Sequence, residues 1–162
     1  MSFKDRRSRL KTITATTDAE SIGDNKVICQ SIEITDVFGA YRGNTILRSL
    51  IVIDETTTGP AIDILFSSHS DAITGDEGKA VGEDIDDLDV VFRNFLGHVS
   101  IVAGDYTDLF DGKMATKTDI NLVLQAATND TSLYMHIVNR SGSNWTAATV
   151  NDMKVKLGLE II

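Results

Sequence analysis

Apolar and polar side chains alternate with period two through much of this chain, and that period marks a strand lying half-buried in a sheet. Between Val27 and Thr35, Ile28, Ile32 and Ile34 take one face while Ser31 and Glu33 take the other. Asn44 to Asp54, rich in β-branched residues, sets Ile46 and Arg48 against Leu47 and Ser49. Ala61 to Ser67 sets Ile62, Ile64 and Phe66 against Asp63 and Leu65, just after the turn-forming Thr58-Gly59-Pro60. These two segments are predicted to pair antiparallel across the loop from Glu55 to Pro60. Gly97 to Ala103, Asp119 to Ala127, Ser132 to Arg140 and Asp152 to Ile161 also have strand length, with Gly, Asn or Asp in most of the gaps.

One segment follows a different period. In Asp84 to Leu96, the residues Ile85, Leu88, Val91, Phe92 and Phe95 recur at spacings of three and four, which predicts one side of a short helix. Acidic residues at its start suit the positive end of the helix dipole, and Gly97 suits its end. Seven or eight strands with short turns and one short helix predict an all-β protein, a jelly-roll-like antiparallel β-sandwich. A length of 162 residues fits one such domain. With 42% hydrophobic but only 6% aromatic residues, its interior is built mainly from Ile, Val, Leu and Ala. The expected organisation is a basic N-terminal arm over 1–25, extended or partly ordered by a partner, and a sandwich domain over 26–162.

No apolar run approaches the roughly 20 residues of a membrane-spanning helix, and no hydrophobic segment follows the charged N-terminus. No membrane partner is therefore expected, and synthesis is expected in the cytosol. Cys29 is the only cysteine, which excludes an internal disulfide and predicts a small buried hydrophobe on a strand. The net charge of −9 is unevenly distributed. Lys4, Arg6, Arg7, Arg9 and Lys11 oppose only Asp5 in the first eleven residues, a balance of +4 that leaves −13 for the remainder. Such a body repels nucleic acid, so the arm is the one route to a polyphosphate. An acidic neighbouring protein is the other candidate for the arm, and a solvated tail is the plainer expectation.

No catalytic constellation emerges. His69, His98 and His136 stand at no metal-ligand spacing to one another, and there is no Gly-x-Ser-x-Gly elbow. The glycines of Gly39-Ala40-Tyr41-Arg42-Gly43 and Gly75-Asp76-Glu77-Gly78 lack the Gly-Lys-Ser/Thr and the long helix of a phosphate cradle. The acidic stretch from Asp76 to Asp89 does not match an EF-hand loop and reads as a solvated loop and helix start. The expectation is a protein with no enzymatic role, no cofactor and no metal. Candidate partner-binding residues are the basic set Lys4, Arg6, Arg7, Arg9 and Lys11, together with Tyr41 and Trp145 as apolar anchors, since aromatics carry much of the energy at protein contacts. Trp145, the sole tryptophan, fits equally well as a cap on the end of the sandwich.

From Asn44 onward the order of features resembles a family of small tailed-phage structural proteins. Four places carry the resemblance: Leu50-Ile51-Val52-Ile53-Asp54 followed by Ala61 to Phe66; the acidic segment Asp84 to Leu88 running into Phe95-Leu96-Gly97-His98-Val99; the turn Ala103-Gly104-Asp105-Tyr106-Thr107; and Ser132 to Val138 with the closing Met153 to Gly158. The resemblance implies a virion protein, made in the host cytoplasm and placed on the capsid surface as a decoration or cement protein. It implies the major capsid protein or other virion proteins as partners, and a homo-oligomer such as a trimer. A neck or tail protein of the virion is a second reading. A carbohydrate-binding module is a third, because β-sandwiches often host them.

Overall fold

The computed structural model describes residues 7–15, 21–39, 42–70, 94–147, 149 and 151–162. Its strands in chain order are β1 (Arg7–Ala15), β2 (Ser21–Ile22), β3 (Val27–Ile34), β4 (Asn44–Asp54), β5 (Ile62–Ser67), β6 (Phe95–Ile101), β7 (Tyr106–Leu109), β8 (Gly112–Lys117), β9 (Leu122–Gln125), β10 (Leu133–Asn139), β11 (Trp145–Thr146) and β12 (Met153–Ile161). A 3-10 turn over Ala103–Asp105 precedes β7. The larger sheet runs β1-β12-β4-β8-β7, with β9 also on β4, and the second runs β3-β10-β5-β6. The short β2 and β11 pair by themselves.

The pairing follows one rule. β9 continues β8 along the same side of β4, with Leu50–Asp54 against β8 and Asn44–Leu47 against β9. Counting β8 and β9 as one line leaves eight long lines: β1, β3, β4, β5, β6, β8/β9, β10 and β12. The first pairs with the eighth, the second with the seventh, the third with the sixth and the fourth with the fifth. That is one long hairpin rolled up on itself, the jelly roll, and it matches the predicted strand number. The predicted hairpin of β4 with β5 is not formed. Asp54 turns the chain from one sheet to the other, so β5 pairs with β10 and β6 instead.

Alternation places Leu47, Leu50, Val52, Val155 and Leu157 of the larger sheet against Ile62, Ile64, Phe66, Met135 and Ile137 of the other, all buried. Each fully buried side chain of this size stabilises the fold by roughly 1.5–3 kcal/mol. Cys29 is buried, as expected. The alternation in β4 is interrupted by one bulge: Gly158 faces Ser49 but Leu159 faces Leu47, which leaves Arg48 as the extra residue. Its guanidinium turns outward to Glu160 at 2.6 Å and to Asn121, and its carbonyl accepts from the Ile120 N–H at 3.2 Å. These contacts bridge the break between β8 and β9, where Asp119 and Asn121 take positive φ.

Two expectations are corrected. Within the expected arm over 1–25, Arg7–Ala15 is not separate from the sandwich, because it pairs with β12 over nine consecutive registers and sends Ile13 and Ala15 into the core. The predicted helix over 84–96 cannot extend to its end, because Phe95 and Leu96 already belong to β6. Residues 84–93 of that segment, and the acidic stretch 76–89 with them, lie outside the described residues.

At the β9 to β10 connection, Asp130 accepts from the N–H groups of Thr131 (2.6 Å) and Ser132 (2.9 Å) and from the Tyr134 hydroxyl (2.9 Å). Desolvation raises the Asp130 pKa, and these hydrogen bonds outweigh it and hold the carboxyl below its usual value. Burial, then the bond to Asp130, pushes the Tyr134 phenol up to about 12. A folded-state pKa raised above the unfolded one contributes stability that is intact below the unfolded value of 10.0 and lost as pH rises through about 12. Thermal stability is therefore expected to fall between those values, and Tyr134→Phe is expected to flatten that part of the profile in melts taken across alkaline pH.

Candidate partner-binding surface

The predicted anchor Trp145 is not on the surface. It is 1% exposed, one of the largest buried side chains, and its Nε1–H donates to Thr56 Oγ1 at 3.2 Å. Thr56 Oγ1 in turn donates to Asp54 Oδ1 at 2.7 Å. Asp54 is itself fully buried and also accepts from the Thr56 N–H, the Thr58 hydroxyl and the Gly59 N–H. Buried Asn139 acts similarly: Nδ2 donates to the carbonyls of Ile22 and Ser143 at 2.9 Å each, and Oδ1 accepts from Ser141. A buried polar group without partners costs about 1–3 kcal/mol, so these networks specify the loops at this end of the roll. The tryptophan ring is consumed by that work and offers no stacking platform for a sugar.

The basic set is redistributed as well. Lys4, Arg6 and Tyr41 lie outside the described residues, and Arg7 opens β1 opposite Ile161. Arg9 donates through Nη1 to the Asp36 carbonyl at 2.5 Å, so part of the expected intermolecular chemistry is used within the chain. Lys11 sits half-buried opposite Leu157, lining a cleft of about 330 Å³ with Ile32, Glu33 and Ile34 between the edges of the two sheets. Of the predicted imidazoles, His136 is buried, accepting at Nδ1 from the Ser31 N–H at 3.0 Å with Nε2 3.1 Å from Ser67 Oγ. Ser67 Oγ donates onward to the His69 carbonyl, so these contacts assign the Nε2–H tautomer. Among the described residues no group of three or more His, Cys, Asp or Glu side chains could hold a metal ion.

What stands exposed instead is the hairpin of β7 and β8. Leu109 pairs with Gly112, so only Phe110 and Asp111 form the turn. Gly112 is required there, because a β-carbon would come within 2.7 Å of the Asp54 carbonyl oxygen on which the hairpin rides. Phe110 is fully exposed at 107% and Leu109 is 45% exposed. Beneath them lies an open groove of about 560 Å³, lined by Ile53, Glu55, Leu109, Phe110, Asp111 and Asp152 among others. Tyr106, at the base of the hairpin, packs against the core; burial raises its pKa, and the charges of Asp54 and Asp105 add to the shift.

The groove opens onto the outer face of the larger sheet, whose residues fall into rows. One row reads Thr14, Lys154, Ile53, Met114 and Thr107, the next Thr12, Lys156, Ile51 and Thr116, and a third Ser8, Glu160, Ile46 and Val123. An isoleucine column thus runs down β4 beside a lysine column on β12. Lys154 is paired with Glu55 at the groove rim. The chemistry on offer is an apolar projection next to a mixed, mildly charged face. Sequence reasoning missed it, although the signal was present: Asp108-Leu109-Phe110-Asp111-Gly112 places two large apolar residues inside a turn motif, where nothing local can bury them.

No family model matches the chain, and no curated protein matches it. Among solved structures it is similar to a chain in the crystal structure of tomato aspermy virus, with a TM-score of 0.39 and 8% identity over 96% of this chain and 76% of that one.

Proposed function

We propose that this chain is a virion structural protein without a catalytic role, which seats on the outside of a phage capsid as a decoration or cement protein and bridges major capsid protein subunits. The observation that carries this reading is Phe110, a large apolar side chain left wholly in solvent on a hairpin that lies close against the Asp54 backbone of a packed sandwich. Exposed apolar anchors of this kind gain their energy only when a partner covers them. The resemblance from Asn44 onward to tailed-phage structural proteins supports the choice of partner. Many copies seated at once on a repeating shell add avidity to a modest single contact.

Co-sedimentation of the purified protein with assembled empty shells tests this. The wild-type chain is expected to pellet with shells, and Phe110→Ser is expected to weaken that association by about tenfold or more. The same substitution should leave folding stability within about 0.5 kcal/mol, because the side chain touches little of its own fold. Absence of wild-type binding, or binding indifferent to Phe110, would contradict the proposal. A neck or tail location is separated by copy number per particle, which is high on a shell and low on the portal axis.

A further inference from the structure

Among the described residues, two of the larger sheet's open edges are unlike. β1 closes one end of the strand order and β7 the other, and neither has a second strand partner among the described residues. Arg7–Ala15 holds Arg7, Arg9 and Lys11 and no acidic residue, whereas residues 105–111 hold Asp105, Asp108 and Asp111 and no basic one. Leu10 stands 67% exposed on the first edge. On the second, Lys117 and Lys113 of the neighbouring β8 lie 2.6 Å from Asp105 and 3.4 Å from Asp108, which offsets part of the negative charge and leaves Asp111 without a lysine opposite it on β8. An exposed edge strand is a template for another chain unless something covers it.

We propose that these two edges bind each other between copies of this chain, β1 of one copy lying along β7 of the next. The charge pattern selects that arrangement. A two-fold contact of β1 with β1 would oppose basic residues to basic ones, and β7 with β7 acidic to acidic, whereas the head-to-tail contact matches opposite signs and continues the sheet. Such a contact joins different patches on the two copies, so repetition closes into a ring or grows into a filament. Phe110, at the hairpin tip, stays free for a different partner. The inference does not depend on the virion reading.

The test is sedimentation of the purified full chain at rising concentration and at two ionic strengths. The wild-type chain is expected to self-associate, less so at high salt. Arg9→Glu with Lys11→Glu, or Asp108→Lys with Asp111→Lys, is expected to weaken association by about tenfold or more, while mixing the two variants restores it by pairing each reversed edge with its complement. Melting curves for each variant confirm that the sandwich is intact, since these positions lie on the surface or edge. In oxidising conditions, Leu10→Cys mixed with Thr107→Cys is expected to form a cross-linked pair, with Cys29 buried and out of reach. A monomer at all concentrations would overturn the proposal. So would association unaffected by charge reversal, or a Leu10→Cys chain that cross-links to itself. If the chain is monomeric but the reversals abolish co-sedimentation with shells, the edges serve another protein and self-association is refuted.

Discussion

Trp145→Ala is expected to cost about 3–5 kcal/mol of folding free energy, as removal of a fully buried large aromatic side chain does. A domain of this size holds only about 5–15 kcal/mol in total, so the variant should unfold at far lower urea and populate unfolded chains at ambient temperature. Two contributions add. The ring leaves a cavity where β11, β2 and the loop after β4 meet, and Thr56 Oγ1 loses the indole donor that linked it and Asp54 to the opposite loop. Trp145→Phe separates them: it keeps most of the apolar volume and removes the donor, with an expected cost of about 1–2 kcal/mol. Equilibrium denaturation of both variants is the measurement. An alanine variant as stable as the wild type would return the ring to a surface role.

Removal of residues 1–15 is expected to have an effect at least as large, abolishing the soluble folded state, whereas removal of 1–6 leaves the described sandwich whole. The longer deletion takes away the strand that closes the roll, the buried Ile13 and Ala15, and every backbone partner on one side of β12. β12 would then present nine residues of open edge, a site for aggregation. Hydrogen exchange reads the same point in the intact chain: amides of β1 that bond to β12 should be protected well beyond those of a solvated tail. A soluble, cooperatively melting chain lacking 1–15 would contradict the rolled topology.

The sequence made the inner strands legible and the edges illegible, for a physical reason. β4 and β12 are flanked by strands on both sides and face the core along their whole length, so their alternation is nearly uninterrupted; the predicted bounds of β4 hold, and those of β12 are off by one residue. β1 alternates too, with Ile13 and Ala15 inward, but its inward positions nearer the end of the sheet are Arg9 and Lys11, whose charged heads reach the rim. Five basic residues near the terminus therefore masked a strand. β7 and β8 escaped notice because an edge hairpin needs only one buried face, and the residues of β7 beyond Tyr106 are exposed. The false pairing of β4 with β5 arose because a short polar loop serves equally for a hairpin and for a crossing between sheets; the four hydrogen bonds gathered by Asp54 decide between them, and no local pattern announces that.

The candidate surface was less legible than the fold. The residues expected to bind a partner were selected by type, as cations and aromatics, and the fold uses Arg9 and Trp145 in contacts within the chain. Burial depends on distant pairing, so an exposed aromatic cannot be told from a core one by composition. Phe110 is distinguished only by its place in a two-residue turn between Leu109 and Gly112.

A cryo-electron microscopy reconstruction of purified particles at side-chain detail tests the central claim most directly. The expected result is this eight-line roll on the outer surface of the shell, with Phe110 covered by a capsid protein. Intact particles with no density for the chain on shell, neck or tail would contradict it.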